Sequence, residues 1–144
     1  MNPALGIFLL LFLSCCKKAD NRQYSYWHVD NDSFETNDVR ADIGKARCEL
    51  TTNNYHEGFQ FHFNLGNFPQ IGNYTLGCSI QNPMWVCFGI LHKDTGYLSN
   101  EPVENSLIAT QVNGKGCYAL KPTWFYNSYR HSDSILVHGI FNEP

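Results

Sequence analysis

Residues 59–65 read Phe-Gln-Phe-His-Phe-Asn-Leu, with apolar and polar side chains alternating without a fault. A period of two sends successive side chains to opposite faces of an extended chain, so this segment is a half-buried strand. Less regular alternation predicts further strands at residues 24–29, 45–52, 74–80, 85–92, 107–112, 116–120 and 134–141. Asn113-Gly114 is the strongest turn signal between them. A two-residue type I′ turn needs positive φ at both central positions, which Asn-Gly tolerates best, so a tight hairpin is expected there. No long window keeps an apolar 3.6-residue period, and Gly and Pro recur too often for a helix of more than a few turns. Residues 39–44 and 102–106 are the two places left for a short helix or turn. About eight short strands joined by polar turns predict an all-β fold, an antiparallel β-sandwich, with a closed β-barrel as the alternative.

The N-terminal pattern is of another kind. Residues 5–13 read Leu-Gly-Ile-Phe-Leu-Leu-Leu-Phe-Leu, followed at once by Ser14-Cys15-Cys16-Lys17-Lys18. This run is too short for a helical membrane span of about 20 residues, but it has the length of the apolar core of a secretory signal. Leu11-Phe12-Leu13-Ser14 before Cys15 is the pattern that precedes the acylated cysteine of bacterial lipoproteins. Cys15 is the expected lipidation site and Cys16 the alternative; a cleaved signal on a secreted protein is the simpler reading. The chain then divides into a signal segment at 1–15, a polar tether at 16–23 and a single domain at 24–144.

Composition narrows the partners. With 144 residues, 43% of them hydrophobic, the chain suits one globular domain. Its 10 basic and 13 acidic residues leave a net charge of −3 and no basic cluster beyond Lys17-Lys18, so no nucleic-acid partner is expected. Cys48, Cys78, Cys87 and Cys117 remain in the domain, and an even number in an exported protein points to disulfides. These four allow three pairings. A hairpin turning about Asn82-Pro83 would set Cys78 opposite Cys87 within disulfide reach, leaving Cys48 for Cys117. Zinc motifs bring cysteines in close pairs, which these are not, so no metal and no cofactor is expected.

Candidate chemistry is sparse. The six histidines, His28, His56, His62, His92, His131 and His138, form no local pair that would set two rings on one face. The acidic stretch around Asp30, Asp32 and Glu35 partly resembles a calcium loop, but it lacks the central Gly and the closing Glu and reads as a solvated turn. No phosphate loop, nucleophile elbow or metalloprotease motif occurs, which makes an enzyme the least supported class. A hydrolase would need a site assembled in space, for instance from His56, Glu57, His62 and Asp94.

The best binding candidate is the stretch Trp124, Phe125, Tyr126, Tyr129 and Arg130, ending at His131. Neighbours on a strand face opposite sides, so these rings cannot all enter one core. Two arrangements are open. Some rings form an exposed face for a glycan or a protein partner; or Trp124 and Tyr126 fill the core while Phe125 and Tyr129 cover a sheet edge.

Trp27-His28-Val29-Asp30, Gly72-Asn73-Tyr74-Thr75-Leu76, the hairpin Val112-Asn113-Gly114-Lys115 and a closing strand with Gly139 together resemble the small uncharacterised lipoproteins of the Bacteroidota. Those proteins share a leader ending in Cys, a W-x-V-D-G start, a G-x-Y-x-L strand and a V-N-G-K hairpin. Asn31 stands where they usually have Gly, and the four domain cysteines are not their habit. The resemblance runs from the leader to the last strand and implies an envelope location and a β-sandwich, without an activity. The expectation is a lipid-anchored envelope protein that binds a glycan or protein partner, or else an accessory subunit of an envelope assembly.

Overall fold

The computed structural model describes residues 23–43, 48–52, 56–63, 69–78, 82–99 and 101–144. The leader with Cys15 and Cys16 lies outside them. The described chain is all β, with eleven strands: β1 (Ser25–Val29), β2 (Asp32–Thr36), β3 (Val39–Ile43), β4 (Cys48–Thr52), β5 (Gly58–Phe63), β6 (Gly72–Leu76), β7 (Trp85–His92), β8 (Thr95–Leu98), β9 (Val103–Val112), β10 (Lys115–Asn127) and β11 (Ser134–Asn142). They form one sheet in the order β2-β1-β11-β10-β9-β6-β7-β5-β4-β3, and β8 pairs with both β7 and β10. That double pairing closes β10, β9, β6, β7 and β8 into a ring of five strands. From the ring two wings extend, β11-β1-β2 and β5-β4-β3. They pack face to face, so barrel closure and sandwich packing coexist.

Alternation builds the interior. Phe59, Phe61 and Phe63 of β5 all point inward, as do Val86, Phe88 and Ile90 of β7. Across the gap they meet Phe141, Phe125, Tyr118 and Trp27 from the other wing and the ring. Phe61 stacks on Phe88 with ring centroids 4.0 Å apart, and Phe141 crosses Phe59 edge-on at 4.7 Å. Offset or edge-on ring pairs add about 0.5–1.5 kcal/mol each beyond area burial, so this aromatic cluster dominates the core. Gly139 faces Trp27 across the β1–β11 pair, and a Cβ there would lie 2.6 Å from the Tyr26 carbonyl oxygen. The two strands approach closely enough to seat the indole only because that side chain is missing.

Several expectations need correction. Residues 39–43 are an edge strand rather than a helix, paired with β4 from Val39↔Thr52 to Ile43↔Cys48. Residues 103–106 open β9 rather than a helix. Three residues of β9 oppose one of β6 between Leu76↔Val103 and Tyr74↔Leu107, and Asn105 takes φ 52° in the resulting bulge. The Ser106 hydroxyl accepts the Leu76 N–H at 3.4 Å there, replacing a lost ladder bond. The predicted Asn113-Gly114 hairpin is present, with φ of 53° and 78°.

The disulfide joins Cys78 and Cys87, with Cα atoms 4.3 Å apart, as the sequence led one to expect. Its setting differs from a hairpin. β6 ends at Leu76 and pairs in parallel with β7 through Thr75↔Trp85 and Leu76↔Val86. The chain turns at Asn82, whose Oδ1 accepts the Met84 N–H at 3.0 Å, and resumes in the same direction one strand over. Parallel neighbours normally need a crossover of a dozen or more residues. Here the strands overlap only at their ends, so a short link suffices, and the disulfide pins it.

Both ends of the domain meet at one pole. Asn142 Nδ2 donates to the Tyr24 carbonyl at 2.7 Å, and Gln23 Nε2 donates to the Val112 carbonyl at 3.2 Å, beside the Asn113-Gly114 hairpin. The connection from β10 to β11, residues 128–133, lies at the other end of those strands.

Candidate functional site

Strand β10 carries the aromatic stretch, and its phase decides which rings are exposed. Gly116, Tyr118 and Leu120 point inward, but beyond Lys121-Pro122 the inward residues are Thr123, Phe125 and Asn127. The register against β11 shifts between Leu120 and Thr123, a β-bulge. Pro122 has no N–H to offer a ladder, so a bulge is where a strand accommodates it. The inserted residue inverts every later side chain. Trp124 and Tyr126 therefore point outward, and Trp124 is 53% exposed.

Phe125 leaves the list of binding candidates for the same reason. It is 0% exposed and meets Phe88 edge-on at 5.3 Å. Trp124 and Tyr126 line a groove of about 670 Å³ with Ser99, Glu101, Pro102, Val103, Pro122, Thr123 and His131. One wall is thus aromatic, another is proline, and a carboxylate, hydroxyls and an imidazole lie along it. Glu101 and Pro102 belong to no linear motif; only the closure of the ring brings them beside β10.

Tyr129 and Arg130 sit beyond the groove on a braced turn. Asn127 Oδ1 accepts the N–H groups of Tyr129 and Arg130 at 2.8 and 3.1 Å, and Asn127 Nδ2 donates to Asp133 Oδ2 at 3.0 Å. Tyr97 donates its hydroxyl to the same oxygen at 3.1 Å. Burial first, then the Asp133 carboxylate, hold the Tyr97 phenol above its ordinary value of 10.0. An Asx side chain that closes its own turn fixes the loop locally. Tyr129, 93% exposed, is displayed by that fixed turn instead of packing on an edge.

A second groove, of about 520 Å³, lies on the outer face of β4, β5, β7 and β8. Thr51, Gln60, Gly89 and Leu98 are successive register partners across its floor. Its depth comes from absent side chains at Gly58, Gly89 and Gly96.

The residues weighed for a hydrolase only partly converge. His56 Nδ1 and Asp94 Oδ1 lie 2.6 Å apart, both well exposed. Glu57 accepts from His92 Nδ1 at 2.9 Å and from the Lys93 N–H at 3.0 Å. Lys93 donates Nζ to Asp32 Oδ2 at 2.9 Å. That contact holds the Asp32 carboxyl below its ordinary value and raises the Lys93 ammonium. His62 is elsewhere, paired with Glu49 at 3.1 Å on the outer face of β4 and β5. The cluster borders neither groove, and its contacts tie β2, residues 56–57 and the β7–β8 turn together. It has the bonding of a brace rather than of a reaction centre.

Of the cysteines expected to pair, Cys117 carries a free thiol. It neighbours inward-facing Tyr118 on β10, so it points away from the core, whereas β4 stands on the opposite wing. The backbone of Cys48 lies in β4; its side chain is outside the described residues. Among the described residues no group of three or more His, Cys, Asp or Glu is placed to hold a metal ion, and no helix is long and apolar enough to cross a membrane.

Comparison with protein families, curated proteins and solved structures returned no match. Fold and site together define an all-β domain with a disulfide-pinned ring and an exposed aromatic groove.

Proposed function

We propose that the chain is an envelope-anchored binding domain, tethered through acylated Cys15 and offering the Trp124 groove to a glycan. The observation that carries the reading is the outward placement of Trp124 beside Tyr126 on a regular strand, with Glu101 and Ser99 in the same groove. An aromatic ring offers a broad, rigid apolar face at low entropy cost, and a sugar ring presents a matching C–H face with hydroxyls at its rim. The Glu101 carboxylate in the groove offers an acceptor for hydroxyls at that rim. The envelope address rests on the leader and on the resemblance in the W-x-V-D start and V-N-G-K hairpin.

The test is binding of the purified protein to envelope polysaccharides, with Trp124→Ala as the variant. Binding should disappear while the melting temperature stays nearly unchanged, because the ring is surface-exposed. Retained binding would move the site away from the groove. The anchor is checked by intact mass from native membranes, where an acyl adduct on a chain starting at Cys15 is expected.

The second reading, an accessory subunit of an envelope assembly, is favoured by the sheet's two terminal strands, β2 and β3. Ile43 on β3 is 59% exposed, and an unpaired edge can accept a partner strand. A stoichiometric protein captured by mild crosslinking would favour it over the glycan.

A further inference from the structure

Two histidines separated by more than a hundred residues meet on the outer face of the β1–β11 pair. His28 and His138 are direct register partners, flanked by the inward-facing Val29 and Val137. Their rings stack with centroids 4.6 Å apart and planes 14° from parallel. Opposed residues in an antiparallel pair have Cβ atoms about 4.5–5.5 Å apart, so both side chains spring from nearly one point. Two nitrogens bound to one ion at about 2.0–2.1 Å each can be separated by no more than about 4.2 Å. In the stacked arrangement the lone pairs lie in nearly parallel ring planes, so the two rings must turn about their side-chain bonds to aim one nitrogen each at a shared ion, and side chains rooted this close together have the reach to do so.

One neighbour is compatible with the tautomer that leaves Nε2 free to bind a metal. Ser33, the register partner of His28 on β2, places Oγ 3.0 Å from His28 Nδ1. With Nδ1–H donating to that oxygen, Nε2 keeps its lone pair. Outer partners of this sort orient metal-binding imidazoles and fix their tautomer. Both rings are only partly buried, so an ion can arrive from solution and keep water in its remaining positions. β1 is hydrogen-bonded on both sides, by β2 and β11, which holds the His28 backbone rigid.

We propose that His28 and His138 form a cross-strand two-histidine site for a borderline divalent transition-metal ion. Imidazole suits Cu²⁺, Ni²⁺ and Zn²⁺, and the general order of affinities places Cu²⁺ first. Ca²⁺ and Mg²⁺ require sets of oxygen ligands and do not bind this pair. The site is independent of the glycan reading, because no groove residue contributes to it.

The test is calorimetric titration of the purified protein with Cu²⁺, Ni²⁺, Zn²⁺ and Ca²⁺ in turn, with melting temperatures recorded in parallel. Cu²⁺ should bind at one ion per chain and raise the melting temperature, and Ca²⁺ should do neither. His28→Ala and His138→Ala should each abolish that binding, and Ser33→Ala should weaken it about tenfold through the lost orienting bond. His56→Ala should leave it unchanged. Stoichiometric binding that persists in both His28→Ala and His138→Ala, that is lost in His56→Ala, or that is absent from the unaltered protein overturns the proposal. His28→Gln and His138→Gln keep a polar surface and answer the same question if an alanine variant loses its melting transition.

Discussion

The grooves beside Trp124 and over Gly89 differ little in size, at about 670 and 520 Å³, but they are made in opposite ways. The first is walled by what projects, two aromatic rings and two prolines. The second is hollowed by what is missing, three glycines among hydroxyl, amide and aliphatic side chains, with the rings of Phe59 and Tyr97 buried instead of projecting. A projecting ring supplies contact area and directional recognition; a glycine floor supplies only room. Cavity volume therefore does not distinguish a binding face from a gap in the packing, whereas the chemistry of the wall does. Immediately beneath the two grooves lie Phe125 and Phe88, which touch each other in the core. The two surfaces thus share one foundation, and substitutions can separate foundation from face.

The largest effect should come from that foundation. Phe88→Ala or Phe125→Ala removes a buried ring and should cost about 3–5 kcal/mol of stability, read by chemical denaturation, with both grooves lost together. Cys87→Ser should cost about 2–3 kcal/mol, since the Cys78–Cys87 bond closes a short loop. It tests whether the pinned link between β6 and β7 supports the Gly89 side alone, in which case glycan binding survives at temperatures where the variant remains folded. Gly89→Ala sharpens the contrast further. Its Cβ would sit 3.1 Å from Leu98 Cδ2, the end of an exposed side chain that can move, so the change should stay within about 1 kcal/mol. It should fill the second groove and leave binding at Trp124 untouched.

The smallest effect concerns the polar brace. Lys93 depresses the Asp32 carboxyl, so that contact contributes above the ordinary carboxylate value of 3.8 and is lost as pH falls through the lowered one. Both partners are solvent-exposed, so a melting-temperature series in acid should show a slight decline that Asp32→Asn abolishes.

Strands with one buried face were legible from alternation, and β7 falls on the predicted residues 85–92. The missed elements lack that signal for a physical reason. β3 lies at the margin of the sheet with Arg40, Ala41, Asp42 and Ile43 all exposed, so no alternation marks it. The β7–β8 hairpin turns on Lys93 and Asp94, at φ 50° and 62°, without the Asn or Gly that would announce it. In the candidate site, exposure of some rings followed from three consecutive aromatics. Which rings depended on the bulge at Lys121-Pro122, where only the proline gives notice. The histidine pair was invisible, since local spacing cannot report partners on the first and last strands.

The placement of both domain ends at one pole bears on how far the protein reaches. Strand β10 has 13 residues at about 3.3 Å each, so it spans about 40 Å from the Lys115 hairpin to the turn that displays Tyr129. Gln23 lies at the Lys115 end. Under the proposed anchoring, the turn that displays Tyr129 lies one strand length from Gln23, at the opposite end of the domain from the point of attachment.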